Sequence, residues 1–271
     1  MMMLEPAKVS VIIPCYNCSL TIHRTVNSVL AQTQLPMEIL LIDDKSTDKT
    51  LEIINQLAVL HPSVIKVIAI VNNQGAANAR NVGWSLAQQP YIAFLDADDA
   101  WHVEKIKVQY NFMLNNPDVI LSGHGHKIVK TNNTLNWDIA NFEIKPVKKL
   151  KILLSNQFVT PSVMMKNNKQ YSFNATKRYV DDHLLWLTIA YDNNIIVKLN
   201  IDLVAIYKPL YGASGLSSNL WKMEKSELDN YMILYKKNKI NISLFGFTLV
   251  YSFAKYIRRL LILSLRYFKS T

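Results

Sequence analysis

The chain has 271 residues, half of them hydrophobic and 18% charged, which excludes a disordered protein and supplies enough apolar material for a real core. Its formal charge of +10 is unevenly placed: residues 1–100 hold six Lys/Arg against nine Asp/Glu, and everything from Asn230 onward holds eight basic residues and no acid. Such a basic second half implies an anionic partner, nucleic acid or membrane, while Cys15 and Cys18, a lone CxxC, are too few for a disulfide scaffold or a structural zinc site and read as cytosolic thiols.

In chain order, the N-terminus has no apolar segment of signal-peptide kind, so export is not expected. KVSVIIP is a β-branched strand stopped by Pro14, after which Asn17 or Ser19 can cap a helix with Ile22, Val26, Val29 and Leu30 on one face. MEILLIDD is a second buried strand ending in Asp43 and Asp44. STDKT then turns into a helix carrying Leu51, Ile54 and Leu57. VIKVIAIV is a third strand ending at Asn72 and Asn73, GAANARNVGWSLA a third helix, and YIAFLDADD a fourth strand. Strands alternating with helices predict a parallel sheet covered on both faces. Pro14, Asp43/Asp44, Asn72/Asn73 and Asp96/Asp98/Asp99 all fall at carboxyl ends, the edge where open α/β sheets bind ligands.

The fourth strand end is the most informative. Asp96, Asp98 and Asp99 repel one another unless a cation neutralises them, and hard divalent ions prefer such oxygens. The plainer alternative is an acidic, helix-capping loop. There is no GxGxxG and no GxxxxGK[ST], so a phosphate must be held without a glycine-rich loop. A metal on the DADD acids can do this, with Arg80 as a fixed second positive charge and Asp44 accepting from a base N–H; the plain alternative for Arg80 is an exposed helix arginine.

VSVIIPCYN, EILLIDDKSTDKT, NNQGAANARNVG and FLDADDAW, in this order and spacing, resemble the nucleotide-sugar-binding half of the family 2 glycosyltransferases. The resemblance covers about the first hundred residues. It implies the GT-A fold, a Rossmann-like, mostly parallel sheet flanked by helices in the α/β class. It also implies a nucleoside diphosphate sugar donor, usually a UDP-sugar, and a divalent Mn or Mg ion. Carried over, Pro14 belongs to the donor site, Asp44 reads the base, Arg80 approaches the diphosphate, Asp96 and Asp98 form the DxD pair, and Asp98 with Asp99 holds the metal.

Beyond Trp101, WHVEKIKVQYNFMLNN reads as a helix ended by Pro117, and VILSGHGHKIV as a strand followed by a turn at Thr131, Asn132 and Asn133. His124 and His126 alternate onto one face of that strand; a structural role is the plainer reading, a metal role the sharper one. Residues 137–175 hold two short elements and loops whose places are not readable, although LKILLS and FVTPSVMM are apolar enough to pack back on the sheet. RYVDDHLLWLTIAYDNN is a helix with Asp181 and Asp182 in its first turn, where the helix dipole favours acids. The segment also resembles the family's acidic pair before LWL, with Asp181 in place of the usual Glu and Thr188 where relatives often have Arg. That resemblance makes Asp182 the catalytic base and the reaction inverting. YGASGLSSN resembles a loop lying over the family's active site, and Ser214 and Ser217 there can meet phosphate or acceptor.

The tail has no apolar run long enough to span a bilayer. Wound as a helix, Lys255, Arg258, Arg259, Arg266 and Lys269 form a basic stripe beside aromatic and aliphatic residues, which predicts residues 243–271 lying on an anionic membrane, separable from the donor site. The competing reading is a helix docked on the protein's own core. The expected organisation is a donor half (1–118), an acceptor and base half (119–220) and a C-terminal helical extension (221–271).

The expected protein is thus an inverting glycosyltransferase acting on a glycan or lipid-linked glycan acceptor in cell-surface polysaccharide synthesis, cytoplasmic and peripheral on the inner face of a bacterial plasma membrane. Two alternatives are a DxD phosphatase and a non-catalytic nucleotide- or membrane-binding adaptor. The phosphatase motif wants Thr or Val where this chain has Ala100, and normally sits on a first strand; the adaptor leaves Asp44, Arg80, DADD and Asp182 without a use. Nucleic acid is not an expected partner, because the candidate site is acidic and no RNA or DNA motif is present.

Overall fold

The computed structural model describes residues 5–129, 136–140, 142–207 and 219–270, with backbone alone for 263–270. Its strands are β1 (Ala7–Cys15), β2 (Pro36–Asp43), β3 (Ile65–Ala69), β4 (Tyr91–Phe94), β5 (Ala100–Trp101), β6 (Val119–Ile128), β7 (Ile144–Pro146), β8 (Met164–Lys166) and β9 (Ile195–Ile206). Its helices are α1 (Ile22–Leu30), α2 (Thr50–Leu60), α3 (Ala76–Leu86), α4 (Lys105–Asn115), α5 (Lys149–Leu154), α6 (Asp181–Tyr191), α7 (Leu220–Lys236) and α8 (Ile242–Ser270), with a 3-10 turn at Thr160–Ser162.

All nine strands join one sheet in the order β3-β2-β1-β4-β8-β6-β9-β5, with β7 paired to the far part of β9. The first four are parallel, as the alternation of strands and helices predicts. The second half makes the sheet mixed: β8 runs antiparallel between β4 and β6, while β6 and β9 are parallel. Alternate residues of the central strands feed two cores. Val9, Val11, Ile13, Ile39 and Leu41 pack under α1, α2 and α4; Ile12, Leu40 and Ile42 pack under α3, with α6 and α7 continuing that layer. Helix α3 approaches the sheet closely because Gly83 has no side chain: a Cβ there would lie 2.5 Å from Ile12 Cγ2. This close seat lowers Arg80, three residues earlier on the same helix, onto the carboxyl edge.

The cap expected for α1 is not formed. Asn17 instead accepts from Thr47 N–H at 2.8 Å, and Ser19 N–H donates to Asp48 at 3.2 Å, so these polar residues tie the β1–α1 loop to the β2–α2 loop.

The C-terminal helix also departs from expectation. Two of its stripe charges turn inward: Lys255 pairs with Glu227 and donates to the Leu154 carbonyl at 2.9 Å, and Arg259 lies 3.9 Å from Glu224 and 3.7 Å from Glu227. Ser252, fully buried, donates to Glu224 at 2.7 Å, and Phe245 is buried in the core. Facing outward instead are Phe247, Val250, Phe253, Ile257, Leu260 and Leu261, with Arg258. The side chains of Arg266 and Lys269 lie outside the described residues, as do the turn at 131–133, Ser214 and Ser217. Among the described residues no helix is long and apolar enough to cross a membrane.

Candidate active site

The carboxyl edges of β1, β2 and β4 meet α3. Pro14 is half-buried at the end of β1, and the next carbonyl, of Cys15, accepts from Asp44 N–H at 2.8 Å. Asp44 is almost wholly buried. Its carboxylate accepts from the N–H groups of Gln74 at 2.9 Å and Gly75 at 2.7 Å, while Asn73 donates to its carbonyl at 2.9 Å. Gly75 holds φ at 88°, a conformation that glycine tolerates and side chains resist. Asp44 thus satisfies the amides that open α3, where a negative charge is favoured by the helix dipole. A base N–H expected on Asp44 would have to use lone pairs left beside these two bonds.

Arg80 projects from α3 and is buried. Its Nη2 donates to Asp96 Oδ1 at 2.6 Å, its Nη1 lies 3.7 Å from Asp181 Oδ2, and its guanidinium carbon lies 5.3 Å from the centre of the Phe173 ring. It is therefore not the exposed helix arginine of the plain alternative. The DADD loop after β4 is clamped from α1: Arg24 donates to the Asp98 carbonyl at 2.5 Å and Thr25 to the Asp99 carbonyl at 2.8 Å. Asp99 is buried and accepts from Tyr207 N–H at 3.3 Å, and Arg24 lies 3.6 Å over the Tyr207 ring. Asp96 and Asp98 are half-buried and accessible from the edge.

The acids of α6 face the same edge from the opposite side. Asp182 Oδ1 accepts from His183 N–H at 2.7 Å, and its Oδ2 accepts from Asn156 Nδ2 at 3.2 Å and Thr160 Oγ1 at 3.3 Å. The turn bearing Thr160 is itself anchored: Trp101 Nε1 donates to the Pro161 carbonyl at 2.8 Å and Gln109 Nε2 to the Ser162 carbonyl at 3.1 Å. Burial raises the Asp182 carboxyl above its ordinary range despite these donors. Burial raises Asp181 to about 6, with Arg80 pulling down and Asp182 pushing up.

The structure thus brings Arg80, Asp96 and Asp181 into one network, with Asp182 next to Asp181 in sequence and Asp98 two residues after Asp96. Sequence reasoning missed Asn156 and Thr160, which hold Asp182, and Arg24, which holds the DADD loop. The first two fall where no periodicity is readable, and nothing in the α1 pattern distinguishes Arg24 from a solvated arginine. His124 is buried, its Nδ1 2.7 Å from the Gly125 carbonyl, and burial with Lys105 nearby holds its pKa down to about 3. Among the described residues no three His, Cys, Asp or Glu side chains gather to hold an ion by themselves. A divalent ion held by one or two carboxylates and completed by substrate phosphate oxygens asks for less, and the acids of the DADD loop meet that requirement.

Comparison with known proteins follows this geometry. The family model described as Glycosyl transferase family 2 matches residues 10–179. The chain is 32% identical over 231 residues, 82% of its length and 84% of the other's, to the Escherichia coli UDP-Glc:alpha-D-GlcNAc-diphosphoundecaprenol beta-1,3-glucosyltransferase WfgD. It is 48% identical over 107 residues to the E. coli enzyme WfaP of the same description, covering 39% of this chain and 41% of that one. Among solved structures it is similar to Staphylococcus aureus TarS 1–349 in complex with UDP-GlcNAc, with a TM-score of 0.64 and 21% identity over 83% of this chain and 66% of that one.

Proposed function

This chain belongs to glycosyl transferase family 2 and is a glycosyltransferase of GT-A fold, and we propose that it moves glucose or an N-acetylhexosamine from a UDP-sugar to a hydroxyl of a lipid-linked glycan, with inversion. The observation that carries this reading is Arg80, whose one guanidinium contacts Asp96 of the donor loop and approaches Asp181 of the base helix. A diphosphate entering between these acids meets a fixed, buried positive charge, and its sugar is delivered beside α6. The relatives' names supply the UDP donor and the diphosphate-linked acceptor.

In the proposed reaction Asp182 takes the proton of the acceptor hydroxyl. That oxygen forms a bond to the anomeric carbon from the face opposite the leaving group, while the bond from that carbon to the diphosphate oxygen breaks and its electron pair leaves with UDP. One carboxylate is enough, because a neutralised diphosphate leaves without a general acid. Asn156 and Thr160 hold one oxygen of Asp182 in place. A Mn or Mg ion on Asp98 and Asp99 would supply charge neutralisation of the leaving diphosphate.

The outward apolar residues of α8, with Arg258, support a peripheral seat on an anionic membrane surface, where a lipid-linked acceptor resides. On this reading the enzyme works at the inner face of a bacterial plasma membrane, making surface polysaccharide. The test is UDP release by the full chain from UDP-glucose and UDP-N-acetylglucosamine, with Mn and an N-acetylglucosaminyl diphospholipid. A β-linked product is expected. Hydrolysis of a simple phosphomonoester, with no transfer from any nucleotide sugar, would establish the phosphatase alternative instead.

A further inference from the structure

Val180, the residue before Asp181, holds the left-handed conformation at φ 55° and ψ 28°. A side chain branched at Cβ resists that region, and the other non-glycine residues with positive φ among the described residues, Asn17, Lys45, Asn193 and Asn238, are unbranched there. Such a backbone persists only where its surroundings hold it. Here two buried side chains one turn apart on α7 do so. Ser226 Oγ donates to the Tyr179 carbonyl at 2.5 Å, and Asn230 Nδ2 donates to the Val180 carbonyl at 3.0 Å. These carbonyls belong to the two peptide planes on either side of the Val180 Cα, and φ and ψ describe how those planes are turned against each other. Relaxing ψ from 28° to the right-handed or extended region would turn one plane by roughly 70° or more and pull a carbonyl off its donor.

Asn230 does little else. It is fully buried, and its Oδ1 has no hydrogen-bond partner among the described residues, a cost that an apolar side chain would avoid. The helix that carries it is itself fixed: Tyr231 Oη donates to the Leu153 carbonyl at 3.2 Å, Glu227 pairs with Lys255 of α8, and Lys177 Nζ, just ahead of the strained residue, donates to the Ser226 carbonyl at 2.9 Å. The turn at Val180 decides the direction in which α6 starts. Its first two side chains are Asp181, 3.7 Å from Arg80, and Asp182, bonded to Asn156 and Thr160. We propose that Ser226 and Asn230 are positioning residues for the transfer reaction: by fixing Val180 in the left-handed conformation they hold Asp182 where Asn156 and Thr160 meet it. The proposal rests on Asp182 being the base of the reaction above, and it extends the support of that base to α7.

The test compares Asn230→Ala in two backgrounds of the full chain, the parent and Val180→Gly, since glycine takes the left-handed conformation without being held there. Transfer is measured from whichever of UDP-glucose and UDP-N-acetylglucosamine the parent uses. In the parent background the substitution is expected to lower kcat at least tenfold with UDP affinity unchanged, because the donor-site acids sit on other elements. In the Val180→Gly background it should cost less than threefold, the non-additivity expected of residues that act through one another. An equal loss in both backgrounds shows that Asn230 only stabilises the fold and overturns the proposal. So does no loss in either, or a loss in UDP affinity instead of kcat. Where Asn230→Ala does not fold, Ser226→Ala, which removes only the tie to Tyr179, goes through the same cycle with the same outcomes. If the parent transfers no sugar, it is the transfer reading that fails, and carbon NMR titration of the Asp181 carboxyl then reads the positioning alone. Asn230→Ala should move it from about 6 toward its ordinary 3.8 and Val180→Gly should restore it, whereas an unmoved titration overturns the proposal.

Discussion

Arg80 Nη1 stands 3.7 Å from Asp181 Oδ2, and this approach ties the helix of the proposed diphosphate arginine to the helix of the proposed base. Because Arg80 lowers Asp181, Arg80→Met should move the Asp181 carboxyl above about 6, read by carbon NMR titration of the side chain. UDP affinity should fall about tenfold to a hundredfold, the equivalent of losing charge-assisted hydrogen bonds of about 1.5–3 kcal/mol. Arg80→Lys restores charge without the planar fork and should recover only part of it. Unchanged UDP affinity in Arg80→Met would remove Arg80 from the donor site.

The same carboxyl has a stability signature. Between its ordinary 3.8 and about 6, the folded chain binds more protons at Asp181 than the unfolded chain does, so this group's contribution to stability falls as pH rises through that window. Asp181→Asn should flatten the stability profile over that interval in urea titrations, and a profile of unaltered slope would show that the group is not perturbed.

Donor binding should depend on metal through the DADD loop. Asp96→Ala with Asp98→Ala is expected to abolish the gain in UDP affinity that Mn gives the parent protein. Isothermal titration with and without Mn measures it, and an undiminished gain in the double variant would place the ion elsewhere.

Asp182 should act after binding. Asp182→Asn keeps the shape but removes the proton acceptor, so UDP affinity should survive while kcat falls about 100-fold or more. The sign of the pH effect follows from burial: a raised carboxyl must lose its proton to work, so the parent's rate should drop on the acid side at a pH above the ordinary carboxylate range. Full turnover in Asp182→Asn, with loss in Asp181→Asn, would move the base by one residue.

How much of this was legible in the sequence depends on how local each signal is. The first four strands and the acids at their ends were readable because period and punctuation lie within a few residues of each element. Asn156 and Thr160 were not, because their meaning is a contact with Asp182 made across 26 and 22 residues from short elements with no period. The place of β8 was unreadable for a related reason: FVTPSVMM is apolar enough to pack on the sheet, as it does, but nothing in it shows insertion antiparallel between β4 and β6. In the tail, helical winding correctly gathers Lys255 and Arg259 on one side, but Arg258 falls with the outward apolar residues, and winding cannot tell whether a side meets water or another helix. The answer lay in Glu224 and Glu227 of α7, which are apart from the tail in sequence and have no apolar periodicity to advertise a buried role.

Those two glutamates decide the last prediction. Burial alone would raise Glu227, but Lys255, with help from Tyr231 and His183, holds the carboxyl below its ordinary range. Cutting the chain before Ser243 strips both carboxylates of Lys255, Arg259 and Ser252, and breaking a buried ion pair from one side costs about 3–5 kcal/mol. The truncated chain should therefore melt far below the parent, contrary to a tail that is separable from the donor site. Membrane contact has to be tested on the opposite face. Phe253→Ser with Ile257→Ser changes two exposed side chains and should leave Tm nearly unchanged while abolishing sedimentation with phosphatidylglycerol vesicles. High salt should release the parent only slightly, because Lys255 and Arg259 are engaged with α7 and the outward face is chiefly apolar. Complete release by salt would instead return the membrane contact to the basic residues, and retained sedimentation of the double variant would remove the apolar face from it.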